Sequence, residues 1–181
     1  DTTTVDALPD LPETALLFYD DVHMTEMEAS VLACRPLLND DVEGATHAVV
    51  LDKTCFYPEG GGQEGDQGRL STEANDRRVL DTKKQGGHVL HLVDGPLEVG
   101  DLVQGSLDVA RRLQLMDHHT SVHIVGGAAR RILGPHIFQA GANKSLDSAR
   151  LDITHHTRLV REDLDAIERL ANDVLTQVQR T

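Results

Sequence analysis

The chain has 181 residues, of which 39% are hydrophobic and 3% aromatic, so Val, Leu, Ile and Ala must build its core. Its 30 acidic and 17 basic residues give a formal net charge of −13. This charge argues against a nucleic-acid partner, because phosphate contacts require clustered Lys and Arg. No apolar run reaches the roughly 18 residues of a membrane span, so no membrane contact is predicted.

The acidic, Lys-poor composition is also typical of a protein that works in concentrated salt. There the Debye length is about 3 Å and repulsion between like charges is screened. We favour this halophile interpretation, under which net charge no longer excludes an RNA partner. Cys34 and Cys55 suit a reducing compartment, and the N-terminus lacks the layout of a signal peptide. We therefore expect a cytoplasmic protein.

Residues 1–14 are acidic, polar and Pro-containing, and we predict a linker there. Residues 15–110 are predicted to form a β domain, because short apolar or alternating runs are separated by Gly-rich turn signals. The clearest runs are EASVLAC, THAVVLD, GHVLHLV and VQGSLDV. Strands at this spacing suggest a small barrel or an open β domain. His88 and His91, three positions apart in one run, fall on opposite faces and are predicted to be structural.

The hydrophobic period changes after Ala110 and predicts a long amphipathic helix. Its apolar residues recur at steps of three and four: Val122, Val125, Ala129, Ile132 and Leu133. Gly134-Pro135 is expected to end this helix. Gly126 and Gly127 should each cost about 1 kcal/mol relative to Ala inside a helix. They are either tolerated or mark a close approach to the backbone.

Further along the chain, ARLDI alternates like a strand. REDLDAIERLANDVLTQVQR then carries one apolar face, which predicts a second long helix. The predicted fold class is therefore α+β. The β domain is followed, at residues 111–181, by a region with two long helices and a strand.

Two histidines, His119 and His123, share one face of the first predicted helix, with Cβ atoms about 5–6 Å apart. Two imidazoles at this spacing can bind one Zn²⁺. Because the chain holds 10 His, the spacing alone favours two structural imidazoles over half of a metal site. Thr120 stands where a zinc protease needs Glu, which argues against that class. His155 and His156 could be further ligands but are more typical of surface residues.

The Gly-rich stretch FYPEGGGQEGDQG, residues 56–68, formally contains G-x-G-x-x-G. A dinucleotide site needs a helix directly after this motif to receive the pyrophosphate. The sequence that follows is polar and strand-like, so the match fails on context. Two interpretations stay open: a wide turn between strands, or bare backbone and the Gln63 amide lining a pocket.

Three stretches taken together resemble one family. FYPEGGGQEGDQGRL, then RRLQLMDHHTSVHIVGGAARRILGPHIFQAGANK some fifty residues later, then ARLDITHH, resemble alanyl-tRNA synthetase of the archaeal type. Free-standing alanyl-tRNA editing proteins share this part. The resemblance runs from about LPETALLFYDD to Thr181. It implies a small antiparallel β-barrel domain followed, at residues 111–181, by the N-terminal part of an α+β editing domain with two long helices. The polar lead-in favours a synthetase over a free-standing editor.

The resemblance also implies an activity and a metal. The family charges the alanine tRNA and, by zinc-dependent deacylation, hydrolyses tRNA(Ala) mischarged with Ser or Gly. By this resemblance His119 and His123 are two ligands of one zinc ion. The remaining ligands would come from a C-x-x-x-H motif beyond Thr181, so this chain alone is expected to be inactive.

Further residues are assigned by the same resemblance. Gln139 matches a position lining the substrate pocket, and Gln63 lies in a motif near that pocket. Thr120 follows the first zinc ligand and is expected either to hydrogen-bond within the site or to bond its own helical turn. Arg150 and Asp152 are expected to give structural support.

The implied partner is tRNA(Ala), and four arginines are the candidates for docking it: Arg111, Arg112, Arg130 and Arg131. A solvated Arg face is nearly as good an interpretation of them. ATP and Mg²⁺ are expected only in an aminoacylation core upstream of Asp1. A homodimer would form through a region downstream. Two alternatives remain: a free-standing alanyl-tRNA editing hydrolase, and a catalytically inert tRNA-docking module.

Overall fold

The computed structural model describes residues 4–6 and 8–178, which fold into two compact units. The first unit holds the described residues up to Gly60 together with Glu64–Leu113. The second holds Gly61–Gln63 and the described residues from Gln114 onwards. The domain boundaries proposed from the sequence stay predictions.

The first unit is a β structure. Its strands are β1 (Ala15–Leu16), β2 (Glu26–Pro36), β3 (His47–Leu51), β4 (Lys53–Thr54), β5 (Gly68–Ser71), β6 (Asp76–Gln85), β7 (His88–Val93) and β8 (Leu102–Leu107), and a 3₁₀ turn spans Leu17–Tyr19. Six of the strands close an antiparallel barrel in the order β2-β3-β7-β6-β5-β8. The predicted small antiparallel barrel is confirmed, and the four apolar runs all contribute strands to it.

Two apolar layers explain why β3 and β7 read as continuous apolar runs. One cluster draws on all six barrel strands and includes Val49 and Leu70. The other contains their sequence neighbours on the opposite face, such as Val50, packed with Val5 of the N-terminal segment. Because alternate residues of a strand face opposite sides, a strand covered on both faces must be apolar throughout.

Strands β5 and β6 left weaker signals in the sequence. In β6 only Val79 and Thr82 are buried, while most of its other side chains are charged. Strand β8 also ends earlier than the alternating run VQGSLDV predicts. Asp108, which follows it, accepts a hydrogen bond at its Oδ1 from the Arg111 backbone N–H at 3.0 Å. That bond caps the next helix, as Asp does at helix N-termini.

A buried ion pair ties the Gly-rich loop to the start of that helix. Arg112 donates from Nε to both carboxylate oxygens of Asp66 at 3.0 Å, and from Nη2 to the Cys55 carbonyl at 2.8 Å. Arg111 donates to the Glu64 carboxylate at 2.7 Å and to the Gly65 carbonyl. Both arginines are buried. Their assignment as tRNA-docking candidates is therefore wrong, because their donors are used inside the protein.

His91 has the structural role predicted for it. It is fully buried in the barrel, with Nδ1 donating to the Val49 carbonyl at 3.0 Å and Nε2 accepting from the Thr54 hydroxyl at 2.8 Å. Burial lowers the pKa of His91 to about 4. Because the ring is neutral in the fold, the barrel loses stability as the pH falls from the ordinary value near 6.5 towards 4.

The second unit contains most of α1 (Val109–Leu133), the hairpin of β9 (Gln139–Lys144) and β10 (Ala149–Ile153), and α2 (Arg161–Val178). Its small core joins Ala128 and Ala129 of α1 to Ile167 and Ala171 of α2. The predicted strand and second helix are confirmed. Gly134 has φ of +116° and its N–H bonds the Arg130 carbonyl, so the predicted helix stop is confirmed as well. Within the described residues, no helix is both long enough and apolar enough to cross a membrane.

The predicted apolar face of α1 is only partly correct. Val122 and Ala129 are buried, whereas Val125 and Ile132 are 38% and 41% exposed. Ala128, which the periodicity did not select, is buried instead. The helix packs through small residues, and a hydrophobicity pattern gives these little weight.

We expect Asp66→Asn to lower the free energy of unfolding by about 3–5 kcal/mol, because it leaves a buried guanidinium without its counter-charge. Urea unfolding at fixed salt measures this loss. Asp76→Asn is the matched control, since it breaks the Arg69–Asp76 pair, whose side chains are 50% and 52% exposed. Water screens that pair, so its loss should be far smaller. Equal losses in the two variants would contradict the role assigned to Asp66.

Candidate functional site

The two histidines four positions apart come together on one face of α1. The Nε2 atoms of His119 and His123 lie 3.1 Å apart, and the ring centroids lie 4.9 Å apart. His119 is half-buried and His123 is exposed. The pair is therefore anchored on one side and open to solvent on the other, which suits a site that must admit a substrate.

Gln63 fixes the orientation of the more buried ring. This side chain is only 5% exposed, and its Oε1 accepts a hydrogen bond from His119 Nδ1 at 2.9 Å. With the proton on Nδ1, the lone pair of the neutral imidazole is on Nε2, the atom that faces His123. The Gly-rich stretch therefore brings the Gln63 amide against the histidine pair, and its role in lining a pocket stays a prediction.

The tip of the Gly-rich loop is held against β9. The Gly62 carbonyl accepts from the Lys144 N–H at 2.6 Å, and Gln63 forms a parallel bridge with Lys144. Gly62 has φ of +75°, and a Cβ there would lie 2.0 Å from the Ala142 carbonyl oxygen. Only glycine fits this position, because a side chain would separate the loop from the strand and withdraw Gln63 from His119.

Lys144 completes this arrangement and was not selected from the sequence. It is 3% exposed, and its Nζ donates to the Gly61 carbonyl at 2.6 Å. Burial, together with the charge of Lys144 and the neighbouring His123, lowers the pKa of His119. A lowered pKa keeps the imidazole neutral, the form that can ligate a metal ion.

The pair meets the geometric requirement for sharing one zinc ion. Two nitrogens at 2.0–2.1 Å from a tetrahedral Zn²⁺ lie about 3.3 Å apart, close to the 3.1 Å between His119 Nε2 and His123 Nε2. The Gln63 side-chain carbonyl accepts the outer hydrogen bond that a metal-ligating His usually donates from its other ring nitrogen. In residues 4–6 and 8–178, no third Cys, His, Asp or Glu forms a ligand cluster with this pair.

A cleft of about 230 Å³ adjoins His123 within the second unit. Gln139, the first residue of β9, also lines it, so one histidine of the pair and the predicted pocket residue face the same space. Gly126 and Gly127 form part of its wall. A Cβ at Gly127 would meet nothing within 4 Å, and one at Gly126 would lie 3.6 Å from Leu151. The two helical glycines thus leave room for the cleft.

The remaining predicted residues occupy other positions. Thr120 is exposed and lies about 100° around the helix from His119, outside the face of the histidine pair. Arg130 donates to the Ile137 carbonyl at 3.1 Å and stacks over the Phe138 ring. Arg131 is exposed in the last turn of α1. The guanidinium of Arg150 pairs with Asp152 at 3.2 Å on β10.

A third histidine joins His155 and His156. It is His136, which follows the stop of α1, and nitrogen atoms of the three rings lie within 4.8 Å of one another. The sequence separates these residues by 19 positions, so only the register of the β9–β10 hairpin brings them together. The adjacent pair alone gave no indication of a third member.

The part of the chain that forms the barrel identifies a recognised class of protein. The chain belongs to the family of tRNA synthetases class II (A), whose model matches residues 2–111.

Proteins similar to this chain include archaeal alanine–tRNA ligases. The chain is 49% identical to the ligase of Haloquadratum walsbyi over 173 residues, which cover 95% of the chain. It is 46% identical to the ligase of Methanopyrus kandleri over 92% of the chain, and 44% identical to that of Pyrococcus furiosus over 94%. The chain spans 18% of the length of each of these relatives.

We expect Gly62→Ala to separate the loop tip from β9 and break the Gln63–His119 hydrogen bond. Gly61→Ala is the matched control, because Gly61 also has a positive φ, of +58°, yet a Cβ there meets nothing within 4 Å. Ring ¹⁵N NMR should show the His119 Nδ1 proton protected from exchange in wild type and Gly61→Ala, and unprotected in Gly62→Ala. Similar spectra for the two variants would show that the close approach does not hold His119.

Proposed function

We propose that this chain is the editing region of an alanine–tRNA ligase, which hydrolyses tRNA(Ala) mischarged with Ser or Gly. Identity of 44–49% to archaeal alanine–tRNA ligases over almost the whole chain supports the ligase part of the proposal. One observation carries the editing part: the His119–His123 pair adjoins a cleft that Gln139 also lines.

The chemistry of alanine explains why such a site is needed. A pocket that accepts alanine cannot exclude glycine by size, and rejecting one extra hydroxyl gives discrimination on the order of 10². A second site that hydrolyses the wrong ester supplies the remaining accuracy. In that reaction, water attacks the ester carbonyl carbon and the bond from that carbon to the ribose oxygen breaks. The ribose oxygen takes up a proton from the water and becomes a free hydroxyl, and the amino acid leaves with a free carboxyl group.

In this proposal His119 and His123 hold a zinc ion through Nε2. When bound, zinc supplies either a water molecule of lowered pKa or a positive charge that positions the substrate. Gln63 keeps the proton of His119 on Nδ1, so that Nε2 remains free to ligate. Lys144 and the tip of the Gly-rich loop hold Gln63 in place.

Gln139 is the residue proposed to recognise serine. Its amide can hydrogen-bond the serine hydroxyl, which alanine lacks, so correctly charged tRNA would gain nothing from the contact. Gln139 is exposed in the free chain, so the contact contributes the net value of one hydrogen bond, about 0.5–1.5 kcal/mol, and this sets the selectivity that it can provide. Arg131 is the better candidate for a phosphate contact, because the Arg130 guanidinium already bonds the Ile137 carbonyl.

The other parts of the proposal concern the whole protein. ATP and Mg²⁺ would serve the aminoacylation reaction at a different site, and the cell compartment would be the cytoplasm, where tRNA charging takes place. An inert tRNA-docking module is the competing function, and the histidine pair distinguishes the two. Docking alone gives no reason for two imidazole nitrogens to converge beside a cleft.

We expect His123→Ala to reduce deacylation of Ser-tRNA(Ala) by about a hundredfold, because metal ligation contributes several kcal/mol to the transition state. The assay uses a chimeric Haloquadratum walsbyi ligase in which this chain replaces the matching 173 residues. Alanine charging should stay unchanged. His118→Ala, one position from the pair on the same helix, is the control and should retain deacylation. A His123→Ala chimera that deacylates normally would favour the docking module.

We expect Gln139→Leu to lower kcat/KM for Ser-tRNA(Ala) by about tenfold, through loss of one hydrogen bond to the hydroxyl. Deacylation of Gly-tRNA(Ala) should not change, since glycine has no hydroxyl to recognise. Gln114→Leu in α1 is the matched control. Equal losses for the two substrates would mean that Gln139 supports the cleft without reading the side chain.

A further inference from the structure

Three histidines outside the proposed editing site form a second cluster. His136 Nε2 lies 2.9 Å from His155 Nδ1, and the His156 ring lies 4.9 Å from His155 and 5.2 Å from His136, centroid to centroid. Nitrogen atoms of all three fall within 4.8 Å of one another. In the part of the chain that the structure describes, this is the only such group of His, Cys, Asp and Glu.

Backbone contacts fix the two segments that carry these rings. The Thr154 hydroxyl donates to the His136 carbonyl at 2.8 Å. The oxygen of that hydroxyl also accepts a hydrogen bond from the Phe138 N–H at 2.9 Å. The Thr154 N–H in turn bonds the Phe138 carbonyl at 2.9 Å. Three hydrogen bonds between the segment before β9 and the segment after β10 thus hold His136 and His155 in place.

His155 is oriented as metal-ligating histidines are. Its Nε2 lies 3.1 Å from the Thr157 hydroxyl, while its Nδ1 faces His136. An outer hydrogen bond of this kind fixes the ring and leaves the other nitrogen for the metal. In the contact between two imidazoles one nitrogen donates and the other accepts, so at least one lone pair already faces into the cluster.

We propose that His136, His155 and His156 bind one divalent transition-metal ion, separately from the His119–His123 pair. Imidazole nitrogen suits Zn²⁺, Cu²⁺, Ni²⁺ and Co²⁺, whereas Mg²⁺ and Ca²⁺ require oxygen ligands. The cluster lies at an open surface, so three protein ligands leave a fourth position open to water or a small ligand.

The test is a Co²⁺ titration of this chain, followed by the visible absorption that tetrahedral Co²⁺ gives. His119→Asn/His123→Asn is the background, so that binding at the other pair cannot contribute. Excess Mg²⁺ keeps surface carboxylates occupied. We expect one Co²⁺ per chain in this background and loss of that Co²⁺ when His155→Asn is added.

A second variant separates ligation from folding. Thr157→Val keeps all three histidines and removes only the outer hydrogen bond, so it should weaken Co²⁺ binding by about tenfold. His118→Asn, a histidine outside both clusters, should bind as the background does. Absence of Co²⁺ binding in the background, or binding that survives His155→Asn, would overturn the proposal. Neither result bears on the editing function, because the background already lacks His119 and His123.

Discussion

The backbone of Gly62 lies against that of Ala142 with no room for a methyl group between them. This close approach permits the Gly62–Lys144 hydrogen bond, which places Gln63 beside His119. The position of His119 Nδ1 therefore depends on the absence of a Cβ at Gly62. Without this approach, Gln63 would be a loop residue and His119 an exposed helical histidine with a free choice of tautomer.

The base and the tip of the same loop are held by different forces. At the base, Asp66 and Arg112 form a buried ion pair, and Arg112 also bonds the Cys55 carbonyl. At the tip, the Lys144 ammonium bonds a carbonyl and brings no carboxylate with it. Because glycine has no side chain to cover the backbone, its carbonyl stays accessible to such donors. A chain with few basic residues thus uses several of them internally, which leaves its surface more acidic than its composition alone implies.

Local signals in the sequence were sufficient for the barrel and for both helices. Short apolar runs marked β3 and β7, and Gly134-Pro135 marked the end of α1, because each feature depends only on its neighbours along the chain. Charge alone was misleading at Arg111 and Arg112, since no local pattern shows that an Arg in the first turn of a helix is buried. The resemblance to a family selected Gln63 and Gln139. Only the fold shows that Gln63 bonds His119 and that Gln139 lines the cleft beside His123.

Lys144 and the three-histidine cluster could not be found in this way. The role of Lys144 depends on the bridge between β9 and the Gly-rich loop, which lies far away in sequence. The histidine cluster depends on the register of β9 against β10, which brings His136 close to His155. A lysine in a polar strand and a histidine after a helix stop look ordinary until their partners are known. Hairpin register is set by loop geometry and by which face is buried, and here both faces carry few large apolar residues to mark it.

The paired glycines of α1 give the cleft beside His123 a property that a wall of large side chains would not have. Its volume is set by missing methyl groups at Gly126 and Gly127, one of which faces open space. A Gly codon becomes an Ala codon by one nucleotide change, and Ala is the residue that a helix prefers. Natural variation can therefore reduce this cleft in steps of a single methyl group without moving the backbone, while each step makes the helix more stable.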